Sequence, residues 1–277
     1  MNTIYVRLAG GLGNQIFQIA YGLTVCKQVQ SEIVLCPSFL DNYNTKRNFT
    51  VPEVLDLGQI RVSESLLPFI VFKSRFTLIA SVLPPKFGFI SDNNCRNIHV
   101  MDITSSNFYL DGYFNKSISQ NIFDEMVTYV SALYLGKAVR VRSKVCVIHI
   151  WGGDFIELGL ACSDDSEFYR VAIAEIRRLV PDVMFEVVTD DFEFANTILE
   201  GICKFERISK TSVSQDFIRL STAQFAIISD STFALWARAI KLNDTKWERL
   251  TFSRKQWEPG VRRDISFAGE QIPQSFL

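Results

Sequence analysis

The segment TIYVRLAGGLGNQIFQIAYGL, close to the start of the chain, limits most narrowly how this sequence can fold. Residues 3–9 have the β-branched, apolar composition of a short strand, and residues 16–30 carry apolar side chains at helical spacing. Three glycines lie in the turn between them, and a second apolar strand pattern, SEIVLCPS, follows the helix. This order predicts a parallel βαβ unit over residues 3–36.

The second half of the chain repeats the alternation of strand, polar turn and helix. KVCVIHI, MFEVVT and QFAIIS have strand patterns, and each precedes a segment with helical periodicity. Such alternation predicts a parallel sheet with helices on both faces. Because 277 residues exceed the usual size of one domain, about 100–150 residues, we expect two α/β units sharing a cleft, residues 1–138 and 139–277.

Charge and cysteine content exclude several classes of protein. The 29 Lys and Arg residues nearly balance the 30 Asp and Glu residues, so a broad nucleic-acid-binding surface is not expected. The six cysteines form no CxxC pair, which argues against a zinc site.

No secretion signal is recognisable, so we expect a cytoplasmic protein. The most apolar stretch, residues 66–90, favours a buried helix, and peripheral contact with a membrane surface is the alternative.

Polar residues follow three of the predicted strands of the second half, at His149–Asp154, Thr189–Asp191 and Ser229–Phe233. The carboxyl ends of parallel strands meet at one edge of a sheet, where ligands collect in open α/β folds. Helix N-termini at that edge attract anions such as phosphate. The three turns therefore predict a site for a small anionic ligand.

Two features each have a structural and a functional interpretation. The GGLGNQ turn either is a tight strand-to-helix connection or brings its backbone close to a ligand, with the amides of Asn14 and Gln15 at the helix start. Its spacing differs from the dinucleotide fingerprint GxGxxG. His149 is either a satisfied core histidine or a hydrogen-bond partner of a phosphate.

The polar residues of the other two turns are equally open. Asp190 and Asp191 suit magnesium, which we discount, or the edge of a purine, or a helix cap. Ser229, Ser231 and Thr232 are typical both of helix caps and of phosphate contacts.

Several motifs together carry a resemblance to a known family. RLAGGLGNQIFQIAYGL resembles the N-terminal signature of the bacterial α-1,2-fucosyltransferases, glycosyltransferase family 11. DGYF at residues 111–114 is similar to that family's DGYW-type segment, and VIHIWGGDF occupies the place of its HxRRGDY motif. FYRVAI, VVTDDFEFA, IISDSTFALWA and Trp257 continue the correspondence in order, so it spans most of the chain.

The resemblance implies a GT-B-like α/β fold, in which two Rossmann-like domains face each other across a cleft. The N-terminal domain would hold the acceptor and the C-terminal domain a GDP-sugar donor. The reaction would move L-fucose, or a related deoxyhexose such as colitose, with inversion to the 2-hydroxyl of a galactose-containing glycan or lipid-linked oligosaccharide. It would need no metal or other cofactor and would serve bacterial surface polysaccharide (O-antigen) synthesis, in the cytoplasm or at the periphery of the inner membrane.

The resemblance also assigns residues. His149 and Asp154 match the ends of HxRRGD, with Asp154 either a general base or a structural residue of the turn. The TDD carboxylate would read the guanine edge and the STF turn would contact the diphosphate. The implied donor-binding residues are Gly11, Asn14, Gln15, Trp151, Gly152, Asp190, Asp191, Ser231, Thr232 and Phe233.

One departure from the family pattern concerns the leaving group. Trp151 and Gly152 stand where the family carries adjacent arginines, the first of which would grip the donor diphosphate. Losing such a guanidinium should cost several kcal/mol of transition-state stabilisation. Either Arg238, six residues beyond Thr232, or Arg7 supplies the charge, or the donor is not GDP-fucose, or the chain is a catalytically impaired nucleotide- or glycan-binding protein.

Overall fold

The computed structural model describes residues 2–40, 47–63, 87–91, 107–115, 118–152, 165–207 and 211–253. The chain divides into two compact units, Met1–Tyr134 and Leu135–Leu277. The sequence-based division was expected after residue 138.

The N-terminal unit contains a parallel sheet whose described strands lie in the order β3 (Arg61–Val62), β2 (Glu32–Cys36), β1 (Thr3–Arg7), β5 (Asn107–Asp111) and β4 (Phe87–Ser91). Strands β1 and β2, which precede and follow α1 along the chain, pair in parallel, and this confirms the predicted βαβ unit. Ile4 and Val6 of β1 are fully buried, and Gly22 lets α1 approach Val6 closely. The elements are β1 (Thr3–Arg7), α1 (Leu12–Val29), β2 (Glu32–Cys36), β3 (Arg61–Val62), β4 (Phe87–Ser91), β5 (Asn107–Asp111) and α2 (Gln120–Leu133).

The buried helix expected over residues 66–90 is wrong for its last four residues. Residues 87–90 belong to strand β4, which pairs in parallel with β5 from Phe87 opposite Asn107. A short apolar run fits a buried strand as well as a buried helix, so periodicity alone does not separate them. Residues 66–86 lie outside the described residues.

The C-terminal unit contains a second parallel sheet. Its described strands lie in the order β10 (Leu250–Ser253), β9 (Ala223–Ile228), β6 (Arg142–Ile150), β7 (Met184–Thr189) and β8 (Glu206–Arg207). The central strand β6 is buried from Val145 to Ile150, as its apolar composition requires between two helical layers. The elements are β6 (Arg142–Ile150), α3 (Asp165–Leu179), β7 (Met184–Thr189), α4 (Phe192–Leu199), β8 (Glu206–Arg207), α5 (Val213–Thr222), β9 (Ala223–Ile228), α6 (Thr232–Ala239) and β10 (Leu250–Ser253).

In the ranges that the model describes, no helix has both the length and the apolar character needed to cross a bilayer.

Candidate functional site

The three polar turns of the C-terminal unit come together as the strand order requires. Strands β9, β6 and β7 are neighbours in the sheet, so their carboxyl ends lie side by side. A hydrogen bond of 2.8 Å joins His149 Nδ1 and Ser229 Oγ, and Gly152 N–H donates to Asp190 Oδ1 at 2.8 Å. We call the described part of these turns, residues 149–152, 189–191 and 229–233, the carboxyl edge.

His149 lies fully buried at the centre of the carboxyl edge. Its ring stacks with Trp151 and Phe233, at centroid distances of 5.8 and 5.7 Å. Within the described ranges, its Nε2 atom is buried without a hydrogen-bond partner. Burial lowers the pKa of His149 to about 3, so the imidazole is neutral at physiological pH. The residue is thus packed in the core, and the hydrogen-bonding capacity of one ring nitrogen is unused among the described residues.

A pH dependence of folding follows from the burial of His149. Its folded pKa of about 3 is below the ordinary value of 6.5, so below pH 6.5 the unfolded chain binds a proton that the folded chain excludes. This contribution to stability is complete above that pH and declines toward pH 3, by about 1.4 kcal/mol per pH unit. In denaturant unfolding, His149→Gln should therefore lose less stability than the wild type on acidification. Equal losses would contradict the assignment.

The two aspartates after β7 make different contacts. Asp191 caps α4, since its Oδ1 accepts from Phe194 N–H at 3.0 Å, and this confirms the helix-cap interpretation for that residue. Asp190 instead bonds Gly152 across to the turn after β6. Among the described residues, no group of three or more His, Cys, Asp or Glu side chains could hold a metal ion.

The serine and threonine turn forms the beginning of α6. Ser231 is its N-cap, and Ser231 Oγ accepts from Phe233 N–H at 3.2 Å, which confirms the cap interpretation. Thr232, the first helical residue, is half-buried, and Phe233 stacks on His149. The positive end of the α6 dipole therefore lies next to His149.

Trp151 and Gly152 occupy this edge in unequal ways. Trp151 is half-buried against His149. Gly152 is buried, and a Cβ atom added to it would lie 2.9 Å from Asp191 Cβ and 3.0 Å from Phe194 Cδ1. Position 151 therefore admits a large side chain, whereas position 152 is closed to one.

The structure corrects the hypothesis that Arg238 supplies the missing charge. Arg238 is fully buried, and its guanidinium donates to Thr251 Oγ1 at 2.8 Å and to the carbonyls of Leu220 and Ala223 at 2.9 and 2.8 Å. Ala223 begins β9, whereas Ser229 follows its end, six residues and about 20 Å away. The guanidinium thus points to the opposite edge of the sheet, where it ties α6 to α5, β9 and β10.

Arg7, the second candidate source of the missing charge, makes an ion pair within the N-terminal unit. It ends β1, and its guanidinium bonds the carboxylate of Asp111, which ends the neighbouring strand β5. Both side chains are largely buried. The pair links the DGYF segment to the strand before the glycine turn.

The GGLGNQ turn is a tight connection with open space at its second glycine. Gly10 has φ +77°, and a Cβ there would lie 2.7 Å from Asn14 Nδ2. Gly11 is the N-cap of α1, and among the described residues, its two chain neighbours aside, no atom lies within 4 Å of the place where its Cβ would be. The backbone at Gly11 is therefore accessible to close approach.

Two buried glutamines hold this turn. Gln15 Nε2 donates to the carbonyls of Gly10 and Asn48, each at 3.0 Å. Gln18 Oε1 accepts from Ala9 N–H, and its Nε2 donates to Gly112 O in the DGYF segment, each at 2.9 Å. The sequence interpretation missed Gln18, although an amide inside an otherwise apolar helix is a signal for a buried polar contact. Asp154, the other end of the HxRRGD-like motif, lies outside the described residues.

This chain has a GT-B-like α/β fold. It matches the crystal structure of the fucosyltransferase NodZ from Bradyrhizobium, with a TM-score of 0.54 and 12% identity over 87% of this chain and 92% of that chain. It also matches POFUT1 in complex with GDP, with a TM-score of 0.53 and 12% identity over 91% and 98% of the two chains.

The sequence assigns the chain to one family within this fold class. Residues 89–254 match the model of glycosyl transferase family 11, and the chain belongs to this family. An α-1,2-colitosyltransferase of Escherichia coli is 23% identical over 271 residues, which cover 88% of this chain and 89% of that protein. The resemblance found in the sequence is thereby confirmed.

Proposed function

We propose that this protein transfers L-fucose, or a related deoxyhexose such as colitose, from a GDP-sugar to the 2-hydroxyl of a galactoside, with inversion. Family membership supports sugar transfer, and the E. coli relative is an α-1,2-colitosyltransferase. NodZ, which has the same fold, is an α-1,6-fucosyltransferase whose structure was determined after soaking with GDP-fucose. The glycosidic linkage that is formed therefore differs among proteins with this fold. Synthesis of a bacterial surface polysaccharide is the role we assign.

The observation that carries this proposal is the meeting of α6 and His149 at the carboxyl edge. The first turn of a helix offers backbone N–H groups and a positive dipole, and both favour a diphosphate. Ser231, Thr232 and Phe233 form that turn, and His149 stacks on Phe233. We assign the diphosphate to this helix end and a hydrogen bond with the donor to the neutral imidazole of His149.

The base is assigned to one of the two aspartates after β7. A carboxylate accepts two hydrogen bonds from the N1–H and N2–H edge of guanine. Asp190 and Asp191 each use Oδ1 for one backbone N–H, and a second carboxylate oxygen is left on each for the base. Trp151 and Gly152, on the adjacent strand end, would border the phosphates.

The missing guanidinium favours a second candidate function. Cleavage of the sugar–phosphate bond builds negative charge on the leaving GDP, and neither Trp151 nor Gly152 offers a positive charge. A family member that binds nucleotide or glycan without turnover would have the same fold and helix end.

Donor hydrolysis separates the two functions. The protein is incubated with GDP-fucose, GDP-colitose and other GDP-sugars in the presence of a chelator, and released sugar and GDP are detected by mass spectrometry. Release of sugar from a GDP-deoxyhexose supports the transferase. Tight GDP binding without release would support a nucleotide-binding protein. Absence of GDP binding would contradict both the transferase and the nucleotide-binding protein.

A further inference from the structure

We propose that Asp190 is a positioning residue: its carboxylate holds the backbone of Gly152 and thereby fixes the turn that carries Trp151. The paired backbones of β6 and β7 end at Ile150 and Thr189, so the ladder gives no further support to either turn. The bond from Gly152 N–H to Asp190 Oδ1, 2.8 Å long, joins the two turns beyond that last pair. The proposal rests on the proposed function, because the turn is assigned to the donor phosphates.

The hydrogen bond between Gly152 and Asp190, which we call the joint, is flanked by residues at the start of α4. Asp191 caps α4 through Phe194 N–H, and the same two residues fill the space next to Gly152. A Cβ at position 152 would meet Asp191 Cβ at 2.9 Å, which is closer than packed carbon atoms approach. Glycine is therefore the residue that the joint admits, and of the two positions where the family has arginines only 151 has room for a side chain.

The joint has a consequence for the ligand. Trp151 precedes Gly152, and its ring rests on His149 at 5.8 Å. With Gly152 held, the backbone that sets the direction of Trp151 is fixed before a donor arrives. Such preorganisation lowers the cost of binding.

Conservative substitution separates positioning from base recognition. Asp190→Asn keeps an acceptor oxygen for Gly152 N–H but no longer accepts both N–H groups of guanine. Asp190→Ala removes the acceptor for both purposes. If Asp190 positions the turn and Asp191 is the aspartate that reads guanine, the alanine variant at 190 should lose at least about tenfold in kcat/KM for the GDP-sugar, mainly through KM, and the asparagine variant less than about threefold. Glu193→Ala, which removes an exposed carboxylate on α4, is the matched control.

Thermal unfolding of the same variants, together with Gly152→Ala and Gly11→Ala, completes the test. Asp190→Ala and Gly152→Ala should lower Tm by about 3 °C or more, whereas Gly11→Ala, which has open space, should lower it less. Equal losses of kcat/KM in Asp190→Asn and Asp190→Ala would overturn the proposal, as would an unaffected Asp190→Ala. If the wild type bound no GDP, the proposed function would fail, and the Tm values would still test the positioning role. A lower Tm in Asp190→Ala than in Asp190→Asn would support that role, and equal values would overturn it.

Discussion

Replacing Arg238 with alanine is expected to lower the free energy of unfolding by about 3–5 kcal/mol. The substitution removes a fully buried guanidinium and leaves the carbonyls of Leu220 and Ala223 and the hydroxyl of Thr251 without their donor. It also opens a cavity among α5, α6, β9 and β10, because alanine does not fill the space of an arginine. Equilibrium unfolding in urea, with the transition followed by circular dichroism, measures the loss.

Arg178→Ala is the matched control for this experiment. Arg178 is exposed on α3 and pairs with Glu175 one turn away, so its removal should leave the free energy of unfolding close to that of the wild type. In the fraction of Arg238→Ala that stays folded, the KM for the GDP-sugar should equal that of the wild type. A stable Arg238→Ala protein with a strongly raised KM would contradict the structural role and restore the guanidinium as a donor contact.

Replacing Trp151 with arginine should strengthen GDP binding by about tenfold or more. A hydrogen bond to a charged partner contributes about 1.5–3 kcal/mol. Trp151 and Phe233, in the first turn of α6, both stack on His149, and we assign the diphosphate to that turn. Trp151 is half-buried and lies beside a closed position, so the guanidinium has room only at 151. Isothermal titration with GDP measures the gain. Trp151→Gln, which removes the ring without adding charge, separates the loss of the stack on His149 from the effect of the charge.

The double variant Trp151→Arg with Gly152→Arg should behave in the opposite way. Its second side chain would be forced into Asp191 and Phe194, and such overpacking costs about 1–3 kcal/mol or more. We therefore expect a lower Tm and no further gain in GDP affinity over the single variant. A double variant as stable as the wild type would show that position 152 is not closed. An unchanged affinity in Trp151→Arg would show that the diphosphate is not bound near residue 151.

Local patterns along the chain predicted much of this structure. The βαβ unit over residues 3–36 and the alternation of strands and helices in the second half follow from periodicity, which is a local property. The caps Asp191 and Ser231 were among the alternatives for these turns, because a short polar residue directly before a helix favours the N-cap position. The neighbouring strand ends followed from these elements, since parallel strands of one sheet end at the same edge.

Properties that depend on packing were not predictable in the same way. Arg238 lies in the correctly predicted helix α6, yet the direction of its guanidinium is set by α5 and β10, elements that the sequence interpretation did not include. From the sequence, Gly152 was interpreted as a position where an arginine of the family pattern is replaced. That this position requires a glycine depends on where Phe194 lies in space. The run over residues 87–90 became a strand because β5 pairs with it. Each of these outcomes depends on distant parts of the chain.

The most direct test of the account is the product of the complete reaction. Wild-type protein is mixed with GDP-fucose or GDP-colitose and a β-galactoside acceptor, and the product is isolated for mass spectrometry and for linkage and anomer analysis by NMR. We predict that the acceptor is extended by one deoxyhexose in α linkage at the 2-hydroxyl of galactose, and that this product forms faster with Trp151→Arg. Unchanged acceptor together with intact donor, in wild type and variant alike, would contradict the assignment of this protein as a sugar transferase.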